Sequence, residues 1–201
     1  MKSPSLLYAA LAALLVSPVA AAEPSDREVQ EIMQRDFRAK GQAKMDRLQQ
    51  DAVQRVCTAT RDKPSAAIAK QLEADQLKAI VFPSGSLIGN WKNGSAIAWS
   101  GQGMQWHEDP KKPSGGGCYN CHEISPLRAS AGTIGPSLRG FGKLRGSGPD
   151  IQKYVYGKIY NAKAYNLCSE MPRFGTTGTL TEQQIKDLVA YLLDPTSPVN
   201  K

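Results

Sequence analysis

Apolar positions recur along most of this chain at helical spacing, and no stretch alternates convincingly as a strand would. An unbroken apolar run occupies residues 6–16, too short to span a bilayer. Beyond it Val29, Ile32, Met33 and Phe37 fall on one helical face, with Ser25 and Glu28 as a capping box at its start. Met45, Leu48, Ala52 and Val56 continue that stripe after Gly41. Asp62-Lys63-Pro64 reads as a second helix start, with Pro64 in the first turn and Leu72, Leu77 and Ile80 on the buried side. The punctuation "FPSGS" at 82–86 marks a boundary. Further helices are predicted around 94–100 and 150–160. A last one has Thr181 and Gln184 as its capping box, Ile185, Leu188, Val189 and Leu192 on one face, and Asp194-Pro195 as its stop. Only "AIVFP" is ambiguous between strand and helix. Helices joined by long glycine-rich loops make a poor core unless a large apolar group fills the centre.

Composition adds a compartment. Lys2, the apolar run and Ala20-Ala21-Ala22 have the layout of a secretory signal peptide over 1–22, so the mature chain is expected in the periplasm with no membrane span. The expected organisation is a signal peptide (1–22), a helical N-terminal extension (23–82) and a second domain (83–201). The net charge of +7 sits mostly in the back half. An exported chain without an arginine-rich run or groove-reading motif is not expected to bind nucleic acid, and an acidic protein partner or small anions suit the charge better.

Only four cysteines and two histidines occur, yet Cys118, Cys121 and His122 fall within "GCYNCHE". Cys-x-x-Cys-His is the attachment signature of c-type haem. Two thiols one helical turn apart add to the two vinyl groups, and the next residue turns its imidazole onto the iron. One covalent haem c is therefore expected, with Cys118 and Cys121 as thioether anchors and His122 as an iron ligand. Structural zinc would need a second ligand pair, whereas Cys57 and Cys168 stand apart in the sequence. A thioredoxin-like thiol pair would need a parallel sheet that the pattern does not predict.

Met171, in "CSEMPRFG", lies on an irregular stretch stiffened by Pro172 and Gly175, and is a better second iron ligand than Met33, Met45 or Met104. A neutral thioether there favours the ferrous state. His107 is a competitor but sits in a polar loop, where a solvated ring is expected. Cys168 is another, since a thiolate would bind iron and lower its potential. In an oxidising compartment Cys168 has a different fate, pairing with Cys57 across 111 residues. Loop-closure entropy would make that link worth about 4 to 5 kcal/mol. Free or intermolecular thiols remain the alternative. In "GTIGPSLRGFG" Pro136 can offer its carbonyl to His122, fixing the ring, although an ordinary turn would use the same residues.

Taken together, "GGGCYNCH", "GTIGPSLRGFGKLR", "YVYGKIYNAKAYN", "MPRFG" and "LTEQQIKDLVAYLLDPTSPVN", across residues 89–200, resemble the X subunit of the SoxAX cytochrome complexes of periplasmic sulfur oxidation. The resemblance implies a mainly α, class I cytochrome c fold with a helical N-terminal extension, and His122 and Met171 as axial ligands. It implies a SoxA-like monohaem or dihaem partner subunit, the carrier protein SoxYZ as substrate and an acceptor cytochrome c. In that family the complex acts as an L-cysteine S-thiosulfotransferase. It joins thiosulfate oxidatively to a carrier cysteine at a haem of the A subunit, so no catalytic residue falls on this chain. The extension is longer than the cytochrome needs and resembles variants in which the X chain wraps its partner. Two other readings stay open: a free-standing shuttle cytochrome, and a haem enzyme acting on a sulfur compound through Cys168 or an open iron position.

Overall fold

The backbone of this computed structural model is helical, and no strand occurs among the described residues, which are 24–125 and 132–201. The expected signal peptide lies outside them. The chain divides into two units at Phe37/Arg38. In the first, α1 (Asp26–Asp36) opens with the predicted capping box: the Ser25 hydroxyl accepts from the Glu28 N–H, and the Glu28 carboxylate accepts from the Ser25 N–H. None of its residues is buried.

The apolar stripe expected to continue past Gly41 is interrupted. Met45–Leu48 forms only a 3₁₀ turn, and a new helix, α2 (Ala52–Ala59), begins at Asp51. Asp51 and Gln54 make a reciprocal capping box there, which satisfies two orphan backbone N–H groups and fixes the start of α2. The second helix also starts later than Asp62-Lys63-Pro64 suggested. Arg61 and Asp62 adopt left-handed backbone angles, and the Asp62 N–H closes α2 on the Cys57 carbonyl at 2.8 Å. Ser65 then caps α3 (Ala66–Lys78), leaving Pro64 outside the helix. Ile80 is buried as predicted, whereas Leu77 is exposed.

The main core forms where α4 (Trp91–Trp99) crosses α7 (Glu182–Leu193). The crossing is close because position 94 has no side chain. A Cβ there would lie 2.0 Å from the Asp187 carbonyl oxygen and 2.8 Å from Tyr191 Cβ. Three polar links hold the pair. Asn90 N–H donates to Asp187 Oδ1 (2.8 Å), Gly89 N–H to the Lys186 carbonyl (3.0 Å), and Trp99 Nε1 to the Tyr191 hydroxyl (2.9 Å). The capping box of α7 is as the sequence predicts. Its Ile185, Leu188 and Val189 are buried in one core with Val155, Tyr156 and Ile159 of α6 (Pro149–Tyr160), contributing about 1.5 to 3 kcal/mol each in transfer terms. A short helix, α5 (Phe141–Arg145), docks against the chain end, where the buried Asn200 side chain accepts from Gly142 N–H and donates to the Leu192 and Asp194 carbonyls.

A second, smaller core joins α2 and α3 to the stretch before Met171. Val53, Cys57 and Leu167 are buried together, with Ala69, Leu72 and Cys168 packed on them. No helix among the described residues is long and apolar enough to cross a membrane.

Candidate functional site

The cysteine motif sits on a 3₁₀ turn, Cys118–Asn120. The preceding glycine strap is tied to the end of α4: Gly116 N–H donates to the Ile97 carbonyl (2.9 Å) and Gly117 N–H to the Ser100 carbonyl (2.8 Å). Cys121 and His122 both donate their backbone N–H to the Cys118 carbonyl, at 3.2 and 2.9 Å. One turn therefore carries both thiols and the imidazole. The two thiols are not bonded to each other. Burial, reinforced by the Cys121 thiol and only partly offset by a bond to its own backbone N–H, pushes the Cys118 thiol up to about 11. A buried thiol raised in this way is a poor redox nucleophile at neutral pH.

His122 is oriented by the segment after it. Gly132 N–H donates to the Tyr119 carbonyl, Gly135 N–H to the Cys121 carbonyl and Leu138 N–H to the Glu123 carbonyl, at 2.9, 2.8 and 2.8 Å. This zip brings the Pro136 carbonyl oxygen within 2.7 Å of His122 Nδ1. With Nδ1 engaged as donor, Nε2 is the lone-pair nitrogen left to bind a metal. The ring lies against the backbone at Gly135, where a Cβ would meet Cε1 at 2.4 Å and Nδ1 at 2.6 Å. Glu123 closes the loop from outside, its carboxylate accepting from Ser137 Oγ (2.9 Å) and Arg139 Nη1 (3.0 Å). Those hydrogen bonds, Ser137 first, hold it below the usual carboxylate range.

Met171 stands on the irregular stretch between Tyr165 and the α7 cap, its N–H donating to Ser169 Oγ at 3.2 Å. It packs on the same core as Cys118. A cavity of about 1040 Å³ has Met171 on one wall and Gly116, Gly117 and Asn120 of the motif segment on another. The third wall comes from residues 42–54, including Gln42, Arg47 and Gln50. That wall is fastened to the loop before the motif. Gln42 Nε2 donates to the Gln105 carbonyl (2.7 Å), Arg47 donates to the Met104 carbonyl, and Lys40 lies 3.4 Å over the Trp106 ring. Two free thiols and an oriented imidazole on one turn thus stand next to Gly116, Gly117 and Asn120, which share a cavity with a thioether. The donor set and the glycine seat beneath the imidazole fit a covalently attached haem.

The rival ligands are placed elsewhere. His107 is exposed, edge-on to Trp106. Cys168 is bonded to Cys57, with the Cα atoms 5.5 Å apart. Among the described residues, the one cluster of metal-type side chains is Cys57, Asp62 and Cys168, and the disulfide occupies both of its sulfurs. Three contributors escaped the sequence reading. Gly135 precedes Pro136 in the same stretch, but its importance is the room it leaves for a ring thirteen positions earlier. Asp51 and Arg173 form an ion pair across 122 residues, which no local pattern announces.

Residues 111–195 match the family model described as cytochrome c, and the fold is that of a mainly α, class I cytochrome c with covalently bound haem c, a carrier of electrons. The chain is 37% identical over 155 residues to an uncharacterized lipoprotein of Aquifex aeolicus (strain VF5), covering 76% of this chain and 73% of that protein, and it belongs to the same family. It is also similar to one chain in the crystal structure of SoxXA from P. pantotrophus, at 26% identity. That match covers 59% of this chain and 95% of the other, with a TM-score of 0.40.

Proposed function

We propose that this chain is the monohaem, electron-accepting subunit of a SoxAX-type complex, with Cys118 and Cys121 as thioether anchors and His122 and Met171 as axial ligands. Haem c, when bound, supplies a one-electron couple. The chain's own residues do the rest. The Pro136 carbonyl holds the His122 tautomer, Gly135 leaves room for the ring, and Met171 offers a neutral sulfur from the wall of the adjoining cavity. Two protein ligands leave no coordination place for a substrate, so sulfur chemistry belongs on the partner, and this chain relays electrons to an acceptor cytochrome. The single observation that carries this reading is the His122 geometry, an imidazole fixed through Nδ1 on the same turn as two free thiols, next to a segment that shares a cavity with Met171. The Sox assignment itself rests on the motif blocks around Met171 and α7. The alternative using Cys168 as a reactive thiol is disfavoured by its disulfide, a bond that also supports a periplasmic location.

In α1, Val29 and Ile32 are exposed on one face. We assign that face to the SoxA-like partner. Purification of the exported protein from its native host tests the whole reading. Co-elution with a second haem subunit, and a ferrous form that does not bind carbon monoxide, are expected. A monomer that binds carbon monoxide rapidly contradicts it. Removal of residues 24–37 should weaken partner binding while leaving the haem spectrum intact, and undiminished binding removes α1 from the interface.

A further inference from the structure

We propose that Asp51 and Cys57, both set by helix α2, act as a two-point clamp that positions Met171 for the iron. The clamp rests on the reading of Met171 as axial ligand and explains how an irregular loop holds it. Cys57 reaches the chain three residues before Met171 through its bond to Cys168. Asp51 reaches it two residues after, through the ion pair of its Oδ2 with Arg173 Nη2. Both ends of the ligand loop are therefore held by one short, doubly capped helix that is itself rooted in the small core of Val53, Cys57 and Leu167.

The pairing is directed rather than incidental. Asp51 Oδ1 accepts from the Gln54 N–H at 2.9 Å, which fixes the carboxylate and aims Oδ2 at the guanidinium. The Arg173 side chain is only 15% exposed, so loss of its partner leaves a largely desolvated cation. Two further groups hold the same loop from below. Leu167 N–H donates to Glu73 Oε1 of α3 at 2.9 Å, and Lys163 Nζ donates to the Leu167 and Ser169 carbonyls at 3.2 Å each. Every one of these links stops short of Met171, so the sulfur depends on the frame around it. Segments without regular structure open locally at low free-energy cost. A neutral thioether is a weak ligand for ferric iron, and opening of the frame would release it. Asp51 and Arg173 are in this sense positioning residues.

Asp51→Asn is the decisive variant, because asparagine caps a helix as well as aspartate and retains the Gln54 bond while removing the charge. In the ferric holoprotein, added imidazole should displace the sixth ligand about tenfold faster than in wild type, equivalent to about 1.4 kcal/mol. Arg173→Gln should act similarly and Arg173→Lys should restore part of the loss. The double variant Asp51→Asn/Arg173→Gln should be no worse than the worse single one, because both remove one interaction. The red absorption band of sulfur-ligated ferric haem reports the bond independently of any activity. If wild type has that band and the Asp51 and Arg173 variants exchange ligand at the wild-type rate, the clamp is wrong and the ligand assignment stands. If wild type lacks the band, or Met171→Ala keeps it, the ligand assignment fails and the clamp falls with it.

Discussion

The two sides of the candidate haem site are built on different length scales. The histidine side is local. From Tyr119 to Arg139 it is stitched by backbone bonds and side-chain bonds that join residues at most sixteen positions apart. The methionine side is assembled from afar, with Asp51, Cys57 and Glu73 reaching residues 94 to 122 positions away. A locally stitched loop loses little chain entropy on closing and tolerates damage elsewhere, whereas a remotely held one depends on the folding of every element that holds it. The difference predicts that the histidine side survives most perturbations of residues 38–80, and that the methionine side does not.

The largest perturbation removes the anchors themselves. Cys118→Ser with Cys121→Ser should abolish covalent haem, seen as loss of the haem mass increment in denatured protein. A retained increment would place attachment elsewhere. Next in size, Cys57→Ser with Cys168→Ser should lower unfolding free energy by about 3 to 5 kcal/mol in urea titration and labilise the sixth ligand while the histidine bond persists. Equal damage to both ligands would end the local-versus-remote distinction.

Gly135→Ala is the mirror experiment, striking only the histidine side. A Cβ within 2.6 Å of Nδ1 forces the ring to turn and weakens the Pro136 bond, at a cost of about 1 to 3 kcal/mol. It should shift the reduction potential without altering the Asp51–Arg173 coupling. An unshifted potential would mean that the ring is not seated there.

The smallest effect is on pH. Partial burial pushes the Asp51 carboxyl up, but the Gln54 N–H and the Arg173 guanidinium outweigh it and hold the group below its ordinary 3.8. Lys163, Glu170 and Asp62 are the other charged groups near this network, the first two from the loop and the third from the end of α2. A depressed folded value means the unfolded chain takes up the proton first. The stabilisation is complete above pH 3.8 and fades as pH falls through the lower folded value. Wild type and Asp51→Asn should therefore differ in urea midpoint at neutral pH and converge in acid.

Legibility in the sequence follows the same division. Cys118, Cys121, His122 and the Thr181 and Ser25 capping boxes are contiguous signals, readable because the chemistry is confined to a few neighbours. The start of α2 is not legible in the apolar spacing, which runs straight through Asp51, because the capping box that interrupts the stripe is polar and local. The α4–α7 crossing was hidden because its determinant at position 94 is the absence of a side chain opposite a residue 93 positions away. The Asp51–Arg173 pair is invisible for the opposite reason: each residue alone looks like an ordinary surface charge.

Near-infrared magnetic circular dichroism of the ferric holoprotein, which distinguishes iron ligand pairs by their charge-transfer bands, is the most direct test of the site. The account predicts a single low-spin species with the imidazole–thioether signature. A bis-imidazole or imidazole–thiolate signature, or a high-spin iron with one side open, would contradict it.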